Sequence, residues 1–136
     1  MSAEAYKRVL VRTWCEAVTA APFVPTVNDN AQPPETAATW FTVEFGGDVV
    51  EAIAFCGVVQ ETGQVDLIVA GEPNLGDSLV AIACDEISAE LLANSDPQGQ
   101  FVLERAGAPV EHSNGTADRW YRLRVPLEYR LISGGP

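Results

Sequence analysis

From Tyr121 to Leu131 every second residue is large and apolar: Tyr121, Leu123, Val125, Leu127, Tyr129 and Leu131. Between them stand Arg122, Arg124, Pro126, Glu128 and Arg130, with Trp120 just before. A period of two sustained this long fits an extended strand with one buried face, because successive strand side chains point to opposite sides. An apolar face of that length needs neighbouring strands and a second layer to cover it. Pro126 has no N–H to give to a ladder, which predicts an edge strand or a bulge there. The opposite face of the strand is a row of three arginines with a single glutamate.

Two segments can supply the covering layer. Tyr6, Val9, Leu10, Thr13, Trp14, Ala17 and Val18 recur at helical spacing and predict an amphipathic helix. Lys7, Arg8, Arg12 and Glu16 fall on its other side, as a solvated face or a docking surface. Ser2 is the expected N-cap, and Pro22 is expected to end the helix. Leu79, Val80, Ala83, Cys84, Ile87 and Leu91 form a second stripe, capped by Asn74 or Asp77 and closed by Asn94, Pro97 and Gly99. Asp85, Glu86 and Glu90 belong to its flank or outer surface.

The remaining strands read less sharply. Pro22 to Thr36 (PFVPTVNDNAQPPET) has no period and predicts a long extended loop, of a kind that is often functional or ordered by a partner. Phe41, Val43 and Phe45 then alternate with Trp40, Thr42 and Glu44, up to Gly46–Gly47. Val49 to Val59 (VVEAIAFCGVV) is apolar on both sides, as in a strand covered on both faces or used in an interface. A turn at Glu61–Thr62–Gly63 leads to a third run, with Val65, Leu67 and Val69 inward and Gln64 and Asp66 outward. These three runs predict an antiparallel meander. Gln100–Arg105 and Val110–His112 predict a hairpin around Gly107, and Ser133–Pro136 a mobile tail. The expectation is one domain, residues 1–136, of the α+β class: a single sheet, antiparallel or mixed, with two main helices packed on one face.

Charge is sorted along the chain. Between Thr13 and Glu104 there are fifteen acidic residues and no lysine or arginine, while both ends are net basic; the whole carries −11. Such sorting concerns association more than fold. It disfavours a nucleic-acid binder, which neutralises phosphates with a basic face. An acidic domain from a lysine-poor proteome would show the same totals. With 47% apolar and 20% charged residues the chain has a folded composition. No apolar run approaches the roughly 20 residues of a membrane span, and the N-terminus lacks a signal peptide's apolar stretch. Folding in the cytoplasm is the resulting expectation.

Motifs of catalysis are missing from the text: there is no P-loop, GxGxxG, HExxH or GxSxG. Cys15, Cys56 and Cys84 are far apart, without a CxxC pair, and read as inert core thiols. His112, the one histidine, lies in a turn-rich stretch and reads as an exposed loop residue rather than a cysteine's catalytic partner. Asp85–Glu86 reads as a solvated face rather than an acid–base pair. Glu44, Asp48, Glu51 and Asp66 lack the spacing of Mg²⁺ or Ca²⁺ ligands. The expectation is a protein without catalytic residues, metal or cofactor.

The order helix, proline-rich loop, strands, helix and long final strand resembles the tail-terminator proteins of long-tailed bacteriophages. The local text is similar from TAATWFTVEF, through GVVQETGQVDLIVAGEPNLGDSLVAIACDEISAELL, to WYRLRVPLEYRL. In that family a "G…G…V.I" strand enters a "P.G.G" turn, an apolar helix follows, and a bulky "v.v.y" strand closes the chain. The counterparts are Gly57 and Gly63, Val65 and Leu67, Pro73 and Gly76, and Val125 and Tyr129. Asn74–Leu75 departs from the family's small residues at the turn. The resemblance implies a structural virion protein at the head-proximal end of the tail, assembled in the host cytoplasm. It would form a ring, a hexamer, that caps the tail tube, stops its growth and receives the head connector. Its partners would be itself, the tail-tube protein and the connector protein. DNA would pass through without stable binding, helped by an acidic lumen, and no membrane is involved.

A cyclic ring joins one patch to a different patch on the next copy. Arg122, Arg124 and Arg130 on the last strand, facing the acidic middle of a neighbour, are the candidate contact, with Trp40 and Trp120 as apolar anchors. A head–tail joining or tail-completion protein is the nearest alternative. A small cytoplasmic ligand-binding module, with Trp40 and Trp120 in its pocket, and then a hydrolase come after it.

Overall fold

The computed structural model of the chain describes residues 3–19, 24–25, 39–45, 49–55, 57–71, 77–111 and 121–134. The elements are α1 (Ala3–Glu16), β1 (Val24–Pro25), β2 (Thr39–Glu44), β3 (Val49–Phe55), β4 (Val58–Gly71), α2 (Asp77–Leu92), β5 (Phe101–Ala106), β6 (Val110–Glu111) and β7 (Tyr121–Gly134). The fold is α+β, as expected, with two helices against one sheet of seven strands. Every strand pair is antiparallel except β1–β2, so the sheet is mixed.

Two strands of 14 residues form the spine. β4 and β7 pair along their whole length, from Val58 opposite Gly134 to Gly71 opposite Tyr121. At about 3.3 Å per residue each is about 45 Å long. Each spine strand has a divided strand on its outer side. β2 pairs with Asp66–Gly71 of β4 and β3 with Val58–Gly63. β5 pairs with Leu127–Leu131 of β7 and β6 with Leu123–Arg124.

This topology corrects several sequence expectations. There is no meander: β2 and β3 follow one another along the same side of β4. Glu61–Thr62–Gly63 is the middle of β4, and the reversal comes between Phe55 and Val58. The segments around Gly107 do not pair with each other, since β5 and β6 both pair with β7. β7 is therefore an interior strand, and Pro126 is accommodated differently. Its carbonyl accepts a hydrogen bond from Gly107 N–H at 2.7 Å, in the gap between the β5 and β6 ladders. In an antiparallel strand a residue's N–H and C=O point to the same side, so the missing donor faces the gap. A Cβ on Gly107 would stand 2.7 Å from Pro126 Cγ. Ser133 and Gly134 belong to β7, opposite Val59 and Val58, rather than to a tail.

The core lies between the helices and one face of the spine. Val65, Leu67, Val69, Leu123, Val125, Leu127, Tyr129 and Leu131 meet Val11, Trp14, Val80, Cys84, Ile87 and Leu91, joined by Phe41, Val43, Phe101 and Leu103. Trp14 and Tyr129 flank Phe101, with ring centroids 5.6 and 5.7 Å away. The α2 stripe is the predicted one, with Leu79 half-buried. α1 is turned from its expected orientation. Lys7, Val11, Trp14 and Cys15 are buried, whereas Val9, Thr13 and Ala17 are exposed. After Glu16 the helix tightens, with Ala17 N–H bonded to Trp14 O and Val18 N–H to Cys15 O.

β2 is buried on both sides. Trp40 and Thr42, on the side opposite Phe41 and Val43, are 5% and 8% exposed, beside Ile68 and Ala70 of β4. β3, expected either to be covered on both faces or to serve an interface, has Ile53 and Ala54 exposed. Ser2, Pro22, Gly46–Gly47, Asp48, Cys56, Pro73–Gly76, His112, Trp120 and the Pro22–Thr36 loop other than Val24–Pro25 lie outside the described residues.

Candidate interaction surface

The polar face of β7 is broken into separate environments. Arg122 is half-buried, with its guanidinium carbon 5.3 Å from the centroid of the Trp40 ring. A cation over an indole face contributes about 0.5–2 kcal/mol. Trp40 is thus held inside the fold with Arg122. Arg124 is opposite Ile68 on one side and Val110 on the other, and its Nε has no hydrogen-bond partner among the described residues. Arg130, opposite Thr62 and Val102, lies at the other end of the strand, about 26 Å from Arg122. The structure therefore brings together Arg122 and Trp40 and separates them from Arg130.

Glu128 is taken by Arg105 of β5. Arg105 Nε and Nη2 donate to its two oxygens at 2.9 and 2.8 Å, a forked pair. The hydrogen bonds from Arg105 hold the Glu128 carboxyl below the usual range. Arg105 keeps 73% of its side chain exposed, so this is a surface pair.

Two consecutive residues fasten α1. Tyr6 donates a 2.5 Å hydrogen bond to Asp96 Oδ1, and Asp96 also accepts from the N–H groups of Gln98, Gln100 and Phe101 at 2.9–3.0 Å. Burial alone would raise the Asp96 carboxyl, but the bonds from Tyr6, Gln98, Gln100 and Phe101 outweigh it and leave it lowered. Burial, then the bond to Asp96 and its charge, push the Tyr6 phenol up to about 12. Lys7, 4% exposed, lies with its ammonium 3.3 Å from Tyr129 Oη and 3.8 Å from Glu61. Tyr129 donates in turn to Glu61. Its phenol lies over Gly63, where any Cβ would come within 2.7 Å of the oxygen. A buried ammonium needs such partners, and they allow Lys7 to lie inward with Val11, Trp14 and Cys15. Asp96 was missed by sequence reasoning, although an Asp before Pro97 and Gly99 at a helix end is an Asx-turn signal.

Past this anchor the sheet continues as an arm made of β3, the first residues of β4 and the last of β7. Glu61 and Thr62 are half-buried, Val59 is 38% exposed and Ile53 50%. Val102, on the adjoining β5, is 39% exposed. Ile53 is in register with Gln60, which is opposite Ile132, and Val102 is opposite Arg130. Both therefore belong to the face away from the helices.

The other features are structural. Cys15 and Cys84 are buried, and burial pushes both thiols up to about 12. Glu44 and Asp66 face each other across β2 and β4, and no cluster of three or more metal-ligating residues occurs among the described residues. A cleft of about 290 Å³ is lined by Thr62, Gly63, Gln64, Glu104, Glu128 and Tyr129. Asp85 and Glu86 are exposed on α2. Among the described residues no helix is long and apolar enough to cross a membrane.

No protein-family model matches the chain, and no curated protein matches it. Among solved structures, one that carries no functional name aligns over 100% of this chain and 99% of its own, with a TM-score of 0.52 and 17% identity. Another, a chain from the virion of a native gene transfer agent particle, aligns over 96% of this chain and 91% of its own, with a TM-score of 0.48 and 15% identity. The first likeness, over both complete chains, is one of fold.

Proposed function

We propose that this chain is a structural virion protein that caps a phage tail tube as a ring, most simply a hexamer. It ends tube elongation and offers the head connector its attachment surface. The observation that carries self-assembly is the arm, a sheet extension with Ile53 and Val59 exposed, adjoined by exposed Val102 of β5. An open apolar sheet edge is a hazard for a solitary soluble domain and a resource for a protein that assembles. The choice of a tail cap among assembling proteins rests on the likeness of the sequence to tail terminators across nearly the whole chain. The charge suits that role: a chain at −11 repels the phosphates of DNA passing through its ring.

The arginine row takes a smaller part than the sequence suggested. Arg122 is engaged with Trp40 and Glu128 with Arg105, so Arg130, beside Val102 at the base of the arm, is the arginine best placed to meet an acidic neighbour. Exposed pairs contribute about 0–1 kcal/mol each, and their role is register. Native mass measurement and negative-stain imaging test the reading. Discrete rings, alone or on tail tubes, with overlong or headless tails when the protein is missing, are expected. A monomer whose Tm rises with a metabolite would overturn it in favour of a ligand-binding module, and a virion with normal tails but an incomplete connector would favour head–tail joining.

A further inference from the structure

We infer that copies of this chain join by antiparallel pairing of β3 of one copy with β5 of the next, so that the sheet runs on from subunit to subunit. The inference deepens the proposed self-assembly and rests on it. Three features of the single chain make these two edges complementary.

The first is direction. β3 and β7 both run opposite to β4, and β5 runs opposite to β7, so β3 and β5 point in opposite senses. Setting β3 beside β5 of a second copy gives an antiparallel pair without turning either sheet over. The second feature is level. β3 lies beside Val58–Gly63 of β4, which pair with Tyr129–Gly134 of β7, and β5 lies beside Leu127–Leu131. The two outer edges overlap at the same end of the sheet, and neither has a further ladder partner among the described residues. At the other end, β1 already occupies the outer side of β2.

Side-chain chemistry is the third. Ile53 and Val102 lie on the same face, are 50% and 39% exposed, and come side by side across the new pair. With Ile53 next to Val102, the step from Ala52 to Glu51 meets the bulge between Leu103 and Arg105, whose side chain is 73% exposed and forked onto Glu128 of its own chain. Backbone pairing supplies affinity and the apolar pair sets register. The contact is heterologous, since one edge meets a different edge, as a ring requires.

Cysteine placement tests this in the full-length protein, in a Cys56→Ser background so that the native cysteines left are the buried Cys15 and Cys84. Under mild oxidation the double variant Ile53→Cys, Val102→Cys should give a ladder of covalent oligomers. Each single variant should stay uncrosslinked, and a mixture of the two singles should give a dimer. A dimer from Ile53→Cys alone would mean that β3 pairs with β3 and would overturn the inference. So would crosslinking of either single variant to another virion protein, or no ladder from a double variant that native mass shows to be assembled. In that last case the ring reading survives and the interface fails. If the ladder forms but tails lack the protein, the interface stands and the tail-capping reading fails. Ile53→Lys is the second variant: unchanged monomer melting with at least tenfold weaker assembly is expected, and assembly at wild-type strength counts against the pairing.

Discussion

The two halves of the β4–β7 spine are built from the same strands in one unbroken register, yet they live in different environments. From Val65 to Gly71 all residues of β4 but Asp66 are buried; from Val58 to Thr62 none is. The difference is not in apolarity, since VVEAIAF of β3 is at least as apolar as TWFTVE of β2. On the face toward the helices, where Val65, Leu67 and Val69 lie, it is a matter of length. At 1.5 Å per residue, α2 with 16 residues spans about 24 Å and α1 with 14 about 21 Å, against strands of about 45 Å. Helices of that size cover about half of the spine when laid along it. The uncovered half is the surface that the proposed assembly would use.

The sharpest way to break this comparison is to remove a side chain from each half. Leu127→Ala, at a fully buried position, should destabilise by about 2–5 kcal/mol in urea denaturation. Val59→Ala on the arm should change the same measurement by less than about 1 kcal/mol while weakening assembly. Equal losses would mean that the arm belongs to the monomer's core.

The boundary between the halves is tested next. Lys7→Met keeps much of the side chain's volume but removes the ammonium from Tyr129 and Glu61, and should cost about 1–3 kcal/mol. The loss should shrink in Lys7→Met, Glu61→Gln, because the carboxylate left behind is then neutral. Additive losses would show that the contact does little for stability.

Asp96 tests the helix side by pH. Its folded carboxyl is lowered from an ordinary value of 3.8, so its contribution is complete above that value and is lost as pH falls through the folded one. Asp96→Asn should lower the Tm at pH 7 and flatten the acid limb of the Tm–pH curve. An unchanged acid limb would show that other carboxylates govern it. The smallest effect belongs to Arg105→Ala, whose exposed pair with Glu128 should leave the monomer's Tm unchanged.

What the sequence revealed follows the same division. Periodicity made β7 and the α2 stripe legible, because burial on one side imprints itself on alternate or every third and fourth residue. The rotation of α1 was not legible, since the partners that satisfy an inward Lys7, Tyr129 and Glu61, are 122 and 54 positions away. The division of the outer strands was hidden too. Two apolar runs separated by glycines read equally well as neighbours in a meander or as successive pieces along one partner. For the surface, Arg122, Arg124 and Arg130 were correctly placed on one side of a strand, but their separate surroundings depend on Trp40, Val110 and Val102 from other strands. Ile53 stood in a run whose interface reading was one of two offered.

The junction of Gly107 with Pro126 has a bearing on how such a protein survives before it is used. A foreign strand that docks on β5 meets the bulge between Leu103 and Arg105 within its six residues and the junction of Gly107 with Pro126 just after them. On the other flank β3 has seven residues, with a register shift between Val49 and Glu51. Fibrils grow from long, flat, uninterrupted templates. Short templates of this kind hold a matching strand in one place and give a mismatched one nowhere to slide, which limits the seeding of aggregates by free copies of the chain.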